Sequence, residues 1–215
     1  MTTRDWSPAF TARVAEQMRT ARRAAGLTAA GASDACARLG LPVPKTTITN
    51  LETGRRTSID LAEFLVLAEV YGVPPITLLF PLGGEATVAV LPGQEVPTWD
   101  AVAWFTGEAE QDSPPTEGSA REVLDTFRAH RDAAVTALTS SRLAKERRRK
   151  ANTTLDPQRR ESLHSAAASY EQVAFDDCRE LRDFRDRMRE RGLALPALPV
   201  DLQFVDESTE DNEDT

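Results

Sequence analysis

KTTITNLETGRR (45–56) decides how the first third of the chain is read. Its only large apolar residues, Ile48 and Leu51, lie three apart, so a helix over 45–53 is anchored through one face. Lys45, Thr46, Thr49 and Asn50 then point outward. Gly54 ends the helix, and Arg55 and Arg56 follow as a basic turn.

The flanking segments supply what such a short helix packs against. Residues 8–25 read as a helix, with Ser7 as cap and Pro8 in its first turn. Phe10, Val14, Met18 and Ala21 form its apolar stripe. Thr28 caps a second helix over 29–39, and LPVP (41–44) is a rigid turn. Beyond the quoted stretch, Ser58 or Asp60 caps a fourth helix, with Phe64, Leu67, Ala68 and Tyr71 at i, i+3, i+4, i+7. Pro75 opens a fifth, ITLLF, and Pro81 closes it. Residues 1–81 are therefore expected to form one all-α domain of five short helices.

Residues 82–118 differ in kind. ATVAVL (86–91) reads as a strand, Pro92-Gly93 as a turn and TWDAVAWF (98–105) as a helical turn carrying two tryptophans. The remainder is an acidic linker. Residues 119–200 read as a hairpin of two long helices joined at Asp156-Pro157, an N-cap followed by proline at N1. In the second helix Leu163, Ala167, Tyr170, Ala174, Asp177, Leu181, Phe184 and Met188 step as a heptad seam with one polar break. In the first, Val123, Phe127, His130, Ala134, Ala137, Ser141 and Ala144 repeat the rhythm. This coiled-coil seam is rich in alanine and is expected to need a second chain or the first domain for burial. Residues 201–215 are too polar to order themselves.

Composition bounds the function. The chain has 215 residues, of which 40% are apolar and 6% aromatic, favouring helices over an aromatic-rich β sandwich. Cys36 and Cys178 have no CxxC partner, which excludes a zinc ribbon or a disulfide framework and fits a reducing cytosol. No apolar run reaches membrane-span length, and the first ten residues lack a signal-peptide core. A soluble cytoplasmic protein is expected, with no membrane association. The net charge is −8, unevenly spread. Residues 1–81 hold 9 bases and 7 acids, 82–118 hold 7 acids alone, 119–200 hold 17 bases and 13 acids, and 201–215 hold 7 acids alone. Such a balance argues against a nonspecific nucleic-acid coat, while leaving the first segment free to read nucleic acid specifically.

Residues 13–80 resemble the XRE family, the lambda-repressor-like helix-turn-helix. The resemblance rests on KTTITNLETGRR, on ARRAAGL (21–27) before it and on LAEFLVLAEVYGVPPITLLFP (61–81) after it. LPGQEVPTWDAVAWFTGE and RMRERGLALP are similar to stretches in regulators common in actinobacteria. The resemblance implies a DNA-binding transcriptional regulator acting on double-stranded DNA. It implies base contacts from Lys45, Thr46 and Asn50, with Thr47 and Thr49 supporting bases or phosphates. Arg55 and Arg56 would hold phosphate, and so would Thr28 at a helix N-terminus. It pairs Glu52 with Arg22 as a structural lock between the third and first helices. The chemistry agrees: asparagine suits adenine, lysine suits guanine and a threonine methyl suits thymine. The chain departs from the family in a longer second helix and a longer turn holding two prolines.

Other residues read plainly. His130 and His164 are lone histidines on helices, and no metal or cofactor site is expected. Trp99, Trp104 and Phe105 fit a small satellite core better than an effector pocket. ERRRK (146–150) is dense enough to grip phosphate, though a solvated helix end beside the hairpin loop is the plainer reading. None of the common catalytic motifs occurs, so no enzymatic activity is expected. Three functions follow. The first is a repressor acting as a homodimer on an inverted repeat. The alternative is a protein-interaction module, such as an antitoxin or a phage or mobile-element immunity component, whose hairpin binds a protein partner. A weaker third has the acidic tail competing with DNA for Arg55 and Arg56.

Overall fold

The computed structural model describes residues 3–110 and 112–207. The fold is mostly α, in two compact units divided after Asp112.

In the first unit, α1 (Thr3–Ala24), α2 (Ala29–Arg38), α3 (Lys45–Glu52), α4 (Leu61–Tyr71) and α5 (Pro75–Leu79) enclose one core. Val14, Met18, Ala32, Cys36, Ile48, Leu51, Leu67 and Leu78 are all within it. The first helix begins upstream of its expected start, with Pro8 inside it rather than in its first turn. Trp6 packs on Phe10 four residues later, ring centroids 5.3 Å apart. Asp60, not Ser58, caps α4, accepting from the amides of Ala62 and Glu63.

ATVAVL does form a strand. β1 (Thr87–Leu91) pairs antiparallel with β2 (Gln94–Pro97) across Pro92-Gly93, where Gly93 takes φ 75°. α6 (Thr98–Thr106) follows, its first residue anchored by a Thr98 hydroxyl bond to the Glu85 carbonyl at 2.6 Å. This segment is built onto the first unit: Arg13 of α1 reaches the Ala89 carbonyl. Its small core is Phe80, Val88, Val90, Ala101 and Val102, without the tryptophans. Trp99 and Trp104 face solvent, because α6 turns its small residues inward against the β1–β2 pair.

The second unit is the expected helical hairpin. α7 (Ala120–Thr153) and α8 (Pro157–Glu190) run antiparallel, each about 51 Å long for 34 residues at ~1.5 Å per residue. Asp156 caps α8 through the amides of Gln158 and Arg159. One buried residue recurs every seventh position: His130, Ala137, Ala144 and Ala151 on α7; Ala167, Ala174, Leu181 and Met188 on α8. The second row on α8 is Cys178 and Arg185, displaced by one residue from the expected Asp177 and Phe184.

The tail expectation is corrected over its first half. Val200–Asp206 form a 3-10 turn, and Leu198, Leu202 and Val205 are buried against the hairpin. The seam thus takes part of its cover from its own chain. Residues 208–215 lie outside the described residues.

Candidate nucleic-acid interface

α3 is positioned from both ends. Ile48 and Leu51 are 1% and 4% exposed, which fixes the helix rotation about its axis. At about 100° per residue, Thr46, Thr49 and Asn50 fall opposite that anchor, with Lys45 at the edge. Lys45 and Thr46 are exposed; Thr47, Thr49 and Asn50 are half-buried. Pro44 precedes the helix and offers no side-chain cap, so the first turn presents free amides beside Lys45 and Thr46. At the other end Gly54 takes φ 72°, and the Arg56 amide returns to the Asn50 carbonyl at 3.0 Å.

The turn before α3 is long but not loose. Val43 is 1% exposed, and the Ser33 hydroxyl donates to its carbonyl at 2.6 Å. One side chain and one backbone group therefore pin the two-proline turn to α2. Neither residue is marked by the sequence reading, although an apolar residue between two prolines is the signal that would have found Val43.

Arg22 and Glu52 meet as a two-pronged pair. Arg22 Nε and Nη2 donate to the two carboxylate oxygens of Glu52 at 2.6 and 2.7 Å, and Nη1 donates to the Leu27 carbonyl at 2.6 Å. Both side chains are about nine-tenths buried. The bond to Glu52 raises the Arg22 pKa further above its ordinary value. One arginine thus ties α1, the α1–α2 turn and α3 together, and a planar guanidinium is suited to such a fork.

The two arginines after α3 are used differently. Arg55 is exposed. Arg56 is half-buried and donates from Nη1 to Glu63 on α4 at 2.6 Å. Glu63 is a residue the sequence reading missed; the Asp60-x-x-Glu63 spacing of a helix start was its signal. Thr28 is the N-cap of α2, its hydroxyl oxygen accepting from the Gly31 amide at 3.0 Å while its hydroxyl proton stays available.

The remaining single residues are packed in the core or bonded to arginines. Cys36 is fully buried, and burial pushes its thiol pKa up, away from the reactive thiolate. His130 and His164 each bond an arginine, Arg185 and Arg148 respectively. No helix among the described residues is long and apolar enough to cross a membrane.

No curated protein and no solved structure matches the chain. Residues 13–79, about a third of the chain, match the family described as a helix-turn-helix domain, a kind of module that can place one short helix in the major groove of DNA.

Proposed function

We propose that the protein is a sequence-specific transcriptional regulator, a repressor that binds an inverted repeat as a homodimer. The observation that carries this reading is the outer face of α3, where Thr46, Thr49 and Asn50 stand opposite the buried Ile48 and Leu51 and Lys45 lies at the edge. These four residues are assigned to bases. Thr28, Thr47 and Arg55 are assigned to phosphate, with Arg56 held beside them by Glu63. A helix-turn-helix reads DNA by placing such a helix in the major groove, and the Arg22–Glu52 lock makes its entry angle rigid. Repression would follow from occupying a promoter.

Support for two copies comes from an apolar groove of about 450 Å³ between α1, α4, α5 and α6. Leu61, Leu65 and Phe105 stay exposed along it at 71%, 49% and 54%. Contiguous exposed apolar surface on a helical domain is expected to be covered by a partner, and a second copy places two α3 helices across a dyad.

The test is selection of random DNA duplexes by the full-length protein. An enriched inverted repeat is expected, with half-sites about one helical turn apart, ~34 Å. Enrichment of no motif, with binding confined to low salt, would remove the reading.

A further inference from the structure

We propose that the tip of the α7–α8 hairpin is a second DNA contact, where Lys145, Arg149, Lys150, Arg159 and Arg160 hold backbone phosphate. This rests on the reading of α3 as a DNA reader.

The first observation is how the second unit spends its charges. Away from the tip most of its arginines are matched. Arg131 pairs with Asp132, Arg179 with Asp176, Arg185 with Asp206, Arg189 with Asp186 and Arg191 with Glu122. At the tip the pattern reverses. Residues 142–161 hold 8 bases and 3 acids, whereas the rest of 113–207 holds 9 bases and 14 acids. The side chains of Lys145, Arg149, Lys150, Arg159 and Arg160 are exposed and make no ion pair among the described residues. In a chain of net charge −8, such a cluster is uncompensated self-repulsion unless an anion covers it.

The second observation is shape. Lys145, Arg149 and Asn152 fall at i, i+4 and i+7, on one face of α7. With Arg148 and Thr153 they line a recess of about 390 Å³. The inner arginines prepare it. Arg148 grips Glu171 from the opposite helix and bonds His164 Nδ1 at 3.2 Å, which neutralises the one acid facing the recess. Arg147 lies over the Tyr170 ring, 5.2 Å from its centroid. The outer cations are left for a ligand.

Duplex DNA fits this surface better than the other polyanions. Lysine and arginine aimed outward serve regularly spaced phosphates without reading sequence. No exposed aromatic lies among the five cations to stack on single-stranded bases. Leu155 is the lone exposed large apolar residue of the tip, too little to insert into a lipid surface.

The experiment titrates full-length protein onto the selected duplex over a series of salt concentrations. The variants are K145Q/R149Q/K150Q, R159Q/R160Q and N50A, each checked for helix content by circular dichroism. Vesicles of phosphatidylserine and phosphatidylcholine form a parallel arm. Both tip variants are expected to flatten the plot of log affinity against log salt by about 0.9 for each phosphate the variant no longer holds, with base preference unchanged. An unchanged slope in both, with specific binding intact, would overturn the tip contact and leave the α3 reading standing. Salt-sensitive binding without base preference, lost in the tip variants and kept in N50A, would keep the tip contact and remove the α3 reading. Binding to vesicles that the tip variants lose, with the DNA slope unmoved, would assign the tip to a membrane surface instead. Absence of all DNA binding would remove both.

Discussion

Asn50 and Arg55 sit five residues apart and should fail differently when removed. Asn50 offers a donor and an acceptor that match adenine, so Asn50→Ala is expected to cost about 1–3 kcal/mol at one base position and to relax preference there. Lys45→Ala should do the same at a guanine. Arg55 is exposed and carries only charge, so Arg55→Ala should weaken all sequences alike and reduce the salt slope by about 0.9. Competition binding against single-base variants of the selected site separates the two patterns. Equal losses on every sequence for all three substitutions would reject α3 as the reader. Glu52 is a different kind of residue. Glu52→Ala strands the Arg22 guanidinium, which is about nine-tenths buried, and breaking such a pair costs about 3 kcal/mol. In a unit of this size that lowers the melting midpoint by more than about 10 °C, read by circular dichroism. A shift of a degree or two would mean that the pair is dispensable. The outward placement of Asn50 was legible in the sequence because Ile48 and Leu51 anchor the other face of the same short helix. The pairing of Arg56 was less so, because its partner Glu63 lies on the next helix.

At the scale of an element, the α7–α8 hairpin shows why periodicity locates a seam but not its chemistry. Ala137, Ala144, Ala167, Ala174, Leu181 and Met188 follow from spacing alone. Arg185 does not. It is 3% exposed and bonds both oxygens of Asp206 at 2.7 Å, the Pro196 carbonyl at 3.0 Å and His130 Nε2 at 2.7 Å. Its partners come from a fold-back whose acidic residues read as solvated tail, although Leu198, Leu202 and Val205 carry a helical spacing in that same stretch. Arginine can only donate, so His130 Nε2 must be the bare nitrogen and the ring must be neutral. Burial, then the Arg185 charge, hold the His130 pKa below its ordinary value, with Asp206 opposing. The unfolded chain takes up this proton below about pH 6.5, while the folded unit resists it. Stability from this group is therefore present above about pH 6.5 and lost as the pH falls through that range. Asp206 is also held low, since Arg185 and Arg189 outweigh its burial, but its window lies below about pH 3.9 and does not overlap. Melting at about pH 7.5 and pH 5.5 should show a drop that His130→Gln shrinks. Equal drops in wild type and variant would exclude His130 as the source.

For the whole molecule, the acidity has two fates. Part of it is structural, as with Asp201 on Arg142 and Asp206 on Arg185 and Arg189. The rest leaves a net charge of −8, which weakens attraction to arbitrary DNA and makes a single helix-turn-helix a poor binder on its own. Two copies on one duplex would overcome this by raising the local concentration of the second. The apolar groove lined by Phe10, Phe64, Leu65 and Ile76 is the surface on which that second copy is argued to sit. Leu65 is half exposed on α4, so Leu65→Glu places a charge in the proposed interface while leaving the buried Phe64, Leu67 and Ala68 untouched. In a gel-shift titration on the selected inverted repeat, wild-type protein should pass from free duplex to the doubly occupied band with little between. Leu65→Glu should populate a faster band of one bound copy, and its melting midpoint should stay near that of wild type. Stepwise filling by both proteins would show that the copies bind independently and would remove the groove as a dimer surface. A single band of one copy at saturation, on a duplex carrying both half-sites, would remove the homodimer altogether.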